Sequence, residues 1–148
     1  ETERLNLYGM AYTCVEMLRV NAEAQKIALK MTGDFAWIDG NRGMIDEVIY
    51  NLCSNAIRYN KENGKVIIDV SQKDGNTVLS VTDTGIGIPV EHQSRIFERF
   101  YRVDKSHSKE TGGTGLGLSI VKHAVGYHDG TIKLDSKVNE GTVFTVTF

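Results

Sequence analysis

Glu47, Asn51, Asn55 and Arg58 recur at spacings of four, four and three. On a helix turning about 100° per residue they fall in one narrow stripe. It lies roughly a third of a turn from an apolar stripe of Ile45, Val48, Ile49, Leu52, Cys53 and Ala56. An asparagine carbonyl is a neutral hard oxygen that can ligate Mg²⁺, and a guanidinium can meet phosphate oxygens. The stripe reads as the wall of a pocket, and equally as an ordinary solvated helix face. Asparagine is a weak helix former, so two of them in mid-helix call for a reason.

A second element is Asp83-Thr84-Gly85-Ile86-Gly87-Ile88-Pro89, directly after an apolar strand pattern. The acid at the strand end stays accessible, and two glycines let backbone hug a flat ligand. A carboxylate there suits a donor such as the exocyclic amine of adenine. Asp-x-Gly is also common turn chemistry, so the motif alone leaves both readings open.

The third element, Gly112-Gly113-Thr114-Gly115-Leu116-Gly117-Leu118, runs into a helical pattern. Glycines at alternate positions expose N–H groups at a helix N-terminus, where the aligned dipoles favour an anion. It is not GxxxxGK[ST], and no strand precedes it as a dinucleotide fingerprint requires. Before it, Asp104 to Thr114 contains no apolar side chain, a composition expected to be mobile, like a lid. Arg99, Arg102 and Lys105 lie at its start and could swing cations toward a polyphosphate. The four histidines, His92, His107, His123 and His128, read as solvated or capping residues, and no Ser/His/Asp or Cys/His set is visible. Cys14 and Cys53 stand outside any metal-ligand spacing and read as reduced core thiols.

These elements need a scaffold. Leu7, Met10, Ala11, Cys14, Leu18 and Ala22 place an amphipathic helix in the first ~25 residues. Ile27–Met31 and Phe35–Ile38 read as a short hairpin turning at Thr32-Gly33-Asp34. A second helix spans roughly Arg42 to Tyr59, and strands are expected at Val66–Val70 and Val78–Val81 around the turn Lys73-Asp74-Gly75-Asn76. A third helix runs from about Leu116 to His128, followed by strands at Thr131–Leu134 and Thr142–Phe148. The expected class is α+β: a two-layer sandwich of three main helices on one mixed, largely antiparallel sheet.

The chain has 148 residues, one domain's worth, so residues 1–148 are read as a single domain. Apolar residues at 41% and charged residues at 24% exclude a wholly disordered chain or a collagen-like repeat. No apolar run approaches the ~20 residues that span a bilayer, and no signal-like segment opens the chain. A net charge of -2 gives no broad cationic field for nucleic acid or an anionic membrane.

In this order, the three elements resemble the ATP-binding catalytic domain of bacterial sensor histidine kinases. That family belongs to a wider group with gyrase B subunits, heat-shock chaperone ATPases and MutL-type repair ATPases, sharing the Bergerat fold. Asn51 to Tyr59 looks like the N box, Asp83 to Pro89 the first glycine box, Ile96 to Arg102 the F box and Gly113 to Leu118 the second glycine box. Gly141-Thr142-Val143-Phe144 is similar to the closing strand motif.

The resemblance implies ATP and Mg²⁺ as ligands. Asn55 would ligate the metal with Asn51 assisting; Arg58 and Tyr59 would contact phosphate and ribose. Asp83 would accept the adenine amine, with Gly85, Gly87 and Ile88 shaping the base pocket and Thr142 closing its end. Arg102, with Arg99, would steady the terminal phosphate, and Tyr101 and Lys105 are further expected nucleotide-binding residues. The N–H groups of Gly113, Thr114, Gly115, Leu116, Gly117 and Leu118 would hold the phosphate chain, and Phe97 and Phe100 would pin the lid's base.

Hydrolysing relatives carry a Glu four residues before the metal-ligating Asn. Asn51 stands there in this chain, and an amide cannot take a proton from water. The resemblance therefore implies transfer to an external histidine rather than fast hydrolysis. Neither the family's phospho-accepting box nor its dimerising helices occur in this sequence. The expectation is a monomeric, cytoplasmic domain of a membrane-anchored parent. Its partners would be a histidine-bearing dimerisation domain and then a response regulator, with no nucleic acid. An ATP-binding regulatory module without transfer activity, and an anti-sigma-factor-type serine kinase, are the alternatives.

Overall fold

The structure, a computed structural model, describes residues 1–103 and 117–148. The elements are β1 (Glu3–Asn6), α1 (Leu7–Ala24), β2 (Ala28–Gly33), β3 (Trp37–Gly40), α2 (Arg42–Arg58), β4 (Lys65–Lys73) and β5 (Asn76–Asp83). A short α3 (Val90–Gln93), α4 (Gly117–Tyr127), β6 (Thr131–Lys137) and β7 (Gly141–Thr147) follow. Both long helices begin at an asparagine cap. Asn6 Oδ1 accepts from the Gly9 N–H at 3.2 Å, and Asn41 Oδ1 from the Met44 N–H at 3.0 Å.

Five strands form one mixed sheet in the order β2-β4-β5-β7-β6. All neighbours are antiparallel except β2 and β4, which run parallel. Alternation along the strands turns Val66, Ile68, Val70, Leu79, Val81, Phe144 and Val146 inward, all of them buried. Against that face α2 sets Ile45, Val48, Ile49, Leu52, Cys53 and Ala56, so the stripe read from sequence is the core seam. On its flanks α2 contacts α1 and α4. Cys14 and Cys53 are free and buried in this core.

The β4–β5 hairpin turns where the sequence puts it. Lys73 pairs with Asn76 across Asp74 and Gly75, whose φ values of 53° and 83° are those of a left-handed two-residue turn.

The hairpin expected between residues 27 and 38 does not form. Its first half pairs in parallel with β4, from Ala28↔Lys65 to Gly33↔Val70. Its second half pairs antiparallel with β1, from Leu5↔Ile38 to Asn6↔Trp37, in a separate two-stranded ribbon. Gly33 explains the parting: at φ +104° it packs so closely on β4 that a β-carbon would sit 1.9 Å from the Val70 carbonyl. The chain is thus pressed against the sheet where a hairpin would turn away. Strand β1 is too short to show an alternating pattern, and the first helix starts only at Leu7. The ribbon stands beside the expected sheet as a second one.

A long-range tie joins the helices flanking the site. The Asn41 N–H donates to His128 Nε2 at 3.0 Å, while His128 Nδ1 donates to the Ala124 carbonyl at 2.7 Å. Accepting at one nitrogen and donating at the other fixes the ring as a neutral imidazole. The C-terminal end of α4 is thereby held to the N-terminus of α2.

Candidate functional site

On α2 the Asn51 Nδ2 donates to the Glu47 carbonyl one turn back, at 2.7 Å. The amide nitrogen being committed, its oxygen takes no hydrogen bond among the described residues, and it faces Gly117 at the start of α4. A β-carbon on Gly117 would lie 2.9 Å from Asn51 Oδ1. One turn on, Asn55 Oδ1 accepts a long 3.5 Å bond from Arg58 Nη1. The last turn of α2 therefore presents carbonyl oxygens beside a guanidinium, next to the beginning of α4.

From the end of β5, residues 83–89 form a loop stitched on both sides. The Asp83 carboxylate accepts from the Gly85 N–H at 2.8 Å and from the backbone of Thr142, its partner across the β5–β7 ladder. The Ile86 N–H donates to the Tyr59 carbonyl at 3.1 Å, binding the loop to the end of α2. On the other side, the Ile88 N–H donates to Ser136 Oγ at 2.8 Å, and the Asn139 N–H to the Ile86 carbonyl at 2.9 Å. Ser136 Oγ also hydrogen-bonds Thr142 Oγ1 at 2.8 Å, and Gln93 Nε2 donates to the Ile88 carbonyl at 2.8 Å.

The glycines are what allow this closeness. A β-carbon at Gly85 would stand 2.4 Å from the Tyr59 carbonyl, and one at Gly87 (φ +73°) 2.1 Å from that of Lys137. Their structural reason is backbone meeting backbone, a tighter demand than room for a ligand.

Burial pushes the Asp83 carboxyl up to about 6, although the Gly85 and Thr142 N–H groups pull it back. A half-buried carboxylate that receives, among the described residues, backbone donors alone is poised to gain from a further donor. Asp83, Gly85, Gly87, Ile88, Tyr59 and Thr142 are thus brought into one connected region, and Asn51, Asn55, Arg58 and Gly117 into the adjoining one. Leu118 packs against the core as the second residue of α4.

Beyond α3, Phe97 meets the Phe144 ring edge-on at 6.2 Å. Phe100 instead is exposed, at φ +65°, with the Arg99 guanidinium 5.2 Å from its ring centroid. Of the two phenylalanines, Phe97 is the one packed on the core. Tyr101 bonds His92, and no described contact joins Arg99 or Arg102 to Asn51 or Asn55. Lys105, Gly113, Thr114, Gly115 and Leu116 lie outside the described residues. Ser136 and Gln93 escaped the sequence reading. Neither belongs to a local motif, and Ser136 acquires its place only from the β6–β7 register, where it opposes Thr142.

Among the described residues no group of three or more His, Cys, Asp or Glu side chains could hold a metal ion. A cation here would rely on amide oxygens and on oxygens of its ligand. Asn55 Oδ1, with one long bond, and Asn51 Oδ1, whose amide nitrogen is already used, fit a hard cation of the Mg²⁺ type.

Known proteins are similar to this chain in sequence and in fold. Residues 40–148 match the family described as histidine kinase-, DNA gyrase B-, and HSP90-like ATPase. The chain is 48% identical over 108 residues to the sensor-like histidine kinase SenX3 of Mycolicibacterium smegmatis, covering 73% of this chain and 28% of that one. It is 47% identical over 94 residues to the signal transduction histidine-protein kinase ArlS of Staphylococcus aureus, covering 64% and 21%. The chain therefore spans about a quarter of the length of the curated relatives it matches. Among solved structures, the mycobacterial sensor histidine kinase MprB superposes with a TM-score of 0.87 at 26% identity, over 100% of this chain and 97% of that one. The catalytic domain of histidine kinase ThkA superposes at 0.86 and 27%, over 100% and 95%. By sequence and by fold, this chain belongs to the histidine kinase-, DNA gyrase B- and HSP90-like ATPase family.

Proposed function

We propose that the domain binds Mg·ATP between α2, the 83–89 loop and α4, and donates the γ-phosphoryl group to a histidine on a separate dimerisation domain of a two-component sensor kinase. The observation that carries this is the setting of Asp83: a half-buried carboxylate at a strand end, served among the described residues by backbone donors, beneath a loop whose glycines admit no β-carbon. Such an acceptor selects a flat ligand that offers an amine, and an adenine amine satisfies it.

In this reading Asp83 orients the base and Thr142 and Ser136 brace the far wall. Asn55, with Asn51, would hold Mg²⁺, which when bound neutralises phosphate charge. Arg58 and Arg102 meet phosphate oxygens. Asn51 cannot act as a base on water, so the site holds the nucleotide for an incoming nucleophile. A neutral imidazole nitrogen attacks the γ-phosphorus; the bond to the ADP oxygen breaks as the new phosphorus–nitrogen bond forms. Most of the rate then comes from positioning. The phosphoryl group would pass on to a response regulator. The sensor-kinase relatives support a cytoplasmic place beneath a membrane-anchored parent; no helix among the described residues is long and apolar enough to cross a membrane.

Calorimetric titration with ATP and ADP, with and without Mg²⁺, is the test, followed by labelled phosphoryl transfer to a supplied histidine domain. Near one-to-one Mg-dependent binding and transfer to the histidine are expected. Binding without transfer to any cognate domain favours the regulatory-module alternative, and no binding by the folded chain removes the proposal.

A further inference from the structure

The segment from Pro89 to Tyr101 carries a regularity that the nucleotide reading does not use. The N–H groups of His92, Arg95, Glu98 and Tyr101 donate in turn to the carbonyls of Pro89, His92, Arg95 and Glu98, at 2.9, 3.0, 2.9 and 3.2 Å. Each bond closes a turn that brings residues three apart near one another. Arg95 and Glu98 accordingly pair, with the guanidinium Nη2 3.1 Å from Oε1 and Nε 3.1 Å from Oε2. The Arg95 guanidinium also lies 4.5 Å from the centroid of the Tyr101 ring. At the far end of the row, the Tyr101 hydroxyl is hydrogen-bonded to His92 Nδ1. The opposite side of the segment is apolar: Ile96 is buried and Phe97 rests on Phe144.

Tyr101 is therefore fixed in two ways, by a cation on its ring and by a bond to its hydroxyl. An exposed Arg–Glu pair alone contributes little. Convergence on one ring is what gives the row its purpose. Phe100 supports this, since a non-glycine residue at φ +65° costs about 1 kcal/mol and is kept where it turns Tyr101 back toward His92.

We propose that His92 is a positioning residue for nucleotide handling: its Nδ1 fixes the Tyr101 hydroxyl, and through that ring the backbone that presents Arg102. This rests on the nucleotide-binding reading above and adds to it a residue that touches no nucleotide.

The test is a double-mutant cycle on the purified chain. Mg·ATP affinity is read by calorimetry, thermal melting is followed in parallel, and phosphoryl transfer is measured at saturating ATP. His92→Ala is expected to weaken ATP binding about three- to tenfold, the loss of one hydrogen bond. The transfer rate at saturating ATP should fall as well, since Arg102 meets the terminal phosphate, while the melting temperature should hardly move. Tyr101→Phe should cost about the same, and the double variant no more than either single one. His92→Asn carries a polar atom on Cγ, where Nδ1 sits, and should restore most of the affinity; His92→Gln should not. Additive losses, failure of Asn to rescue, or affinity falling only in step with melting temperature would each overturn the inference. A wild-type chain that binds no Mg·ATP sinks the functional reading itself and this inference with it. Normal binding by both wild type and His92→Ala sinks only the inference.

Discussion

Gly117, the first residue of α4, stands against the side chain of Asn51 on α2, with room for no β-carbon between them: one would lie 2.9 Å from Asn51 Oδ1. Through this contact the start of α4 and the asparagine stripe, far apart in sequence, meet as one surface. The space reserved there belongs to a side-chain oxygen, not to backbone. Filling it therefore displaces Asn51 without breaking the fold.

Gly117→Ala is accordingly expected to leave the melting temperature unchanged or slightly raised, alanine being the better helix former. ATP affinity should drop about three- to tenfold as Asn51 moves aside. Gly126, with nothing within 4 Å of its virtual β-carbon, is the control. Gly126→Ala should add roughly 0.5–1 kcal/mol of stability with affinity intact. Calorimetry and thermal melting on the two variants separate the effects.

Asp83 gives a pH dependence whose sign is unusual for an acid. In the unfolded chain an aspartate titrates near 3.9; in the fold this one is raised to about 6. The native state holds the proton more tightly. Its contribution to stability is therefore complete below about pH 3.9 and is lost as pH climbs through 6. Asp83→Asn should melt higher than wild type at pH 8, and this margin should close by pH 4. Binding runs the other way, because the adenine amine needs the charged acceptor. Wild-type ATP affinity should fall about tenfold between pH 7 and pH 5, and Asp83→Asn should bind poorly at both.

Gly141 tests the scaffold under the acid. At φ +125°, its virtual β-carbon would approach the Asp83 carbonyl to 2.0 Å. Gly141→Ala is expected to cost more than about 2 kcal/mol, since both strain and overlap involve backbone. Denaturant titration should show a lowered midpoint, in contrast to Gly117→Ala.

The tie at His128 predicts a milder loss. His128→Ala leaves the Asn41 N–H without its acceptor, at a cost of about 1–2 kcal/mol. The readout is the equilibrium unfolding midpoint, with an unchanged slope.

Much of the site was legible because its residues are bound to local periodicity. The stripe of Asn51, Asn55 and Arg58 follows from helical spacing alone, and Asp83 is marked by its place between a strand and two glycines. What stayed hidden depends on register. Ser136 becomes a wall of the site only because β6 pairs with β7 so as to bring it opposite Thr142. The supposed hairpin failed for a similar reason: two apolar segments with a turn signal between them fit local pairing, yet both partners were distant strands. His92, read as a solvated residue, gains a partner only when the backbone turns by threes.

The Asn41–His128 bond spans 87 residues of chain, and the Ile88–Ser136 bond 48. No short fragment contains both sides of the candidate site, because each of these bonds joins distant stretches of chain. Under the proposed function, nucleotide occupancy and cooperative unfolding are one linked equilibrium. A ligand at a hundred times its dissociation constant adds about 2.7 kcal/mol to the native state. ATP then works as a folding ligand, and the midpoint of unfolding becomes a gauge of nucleotide concentration.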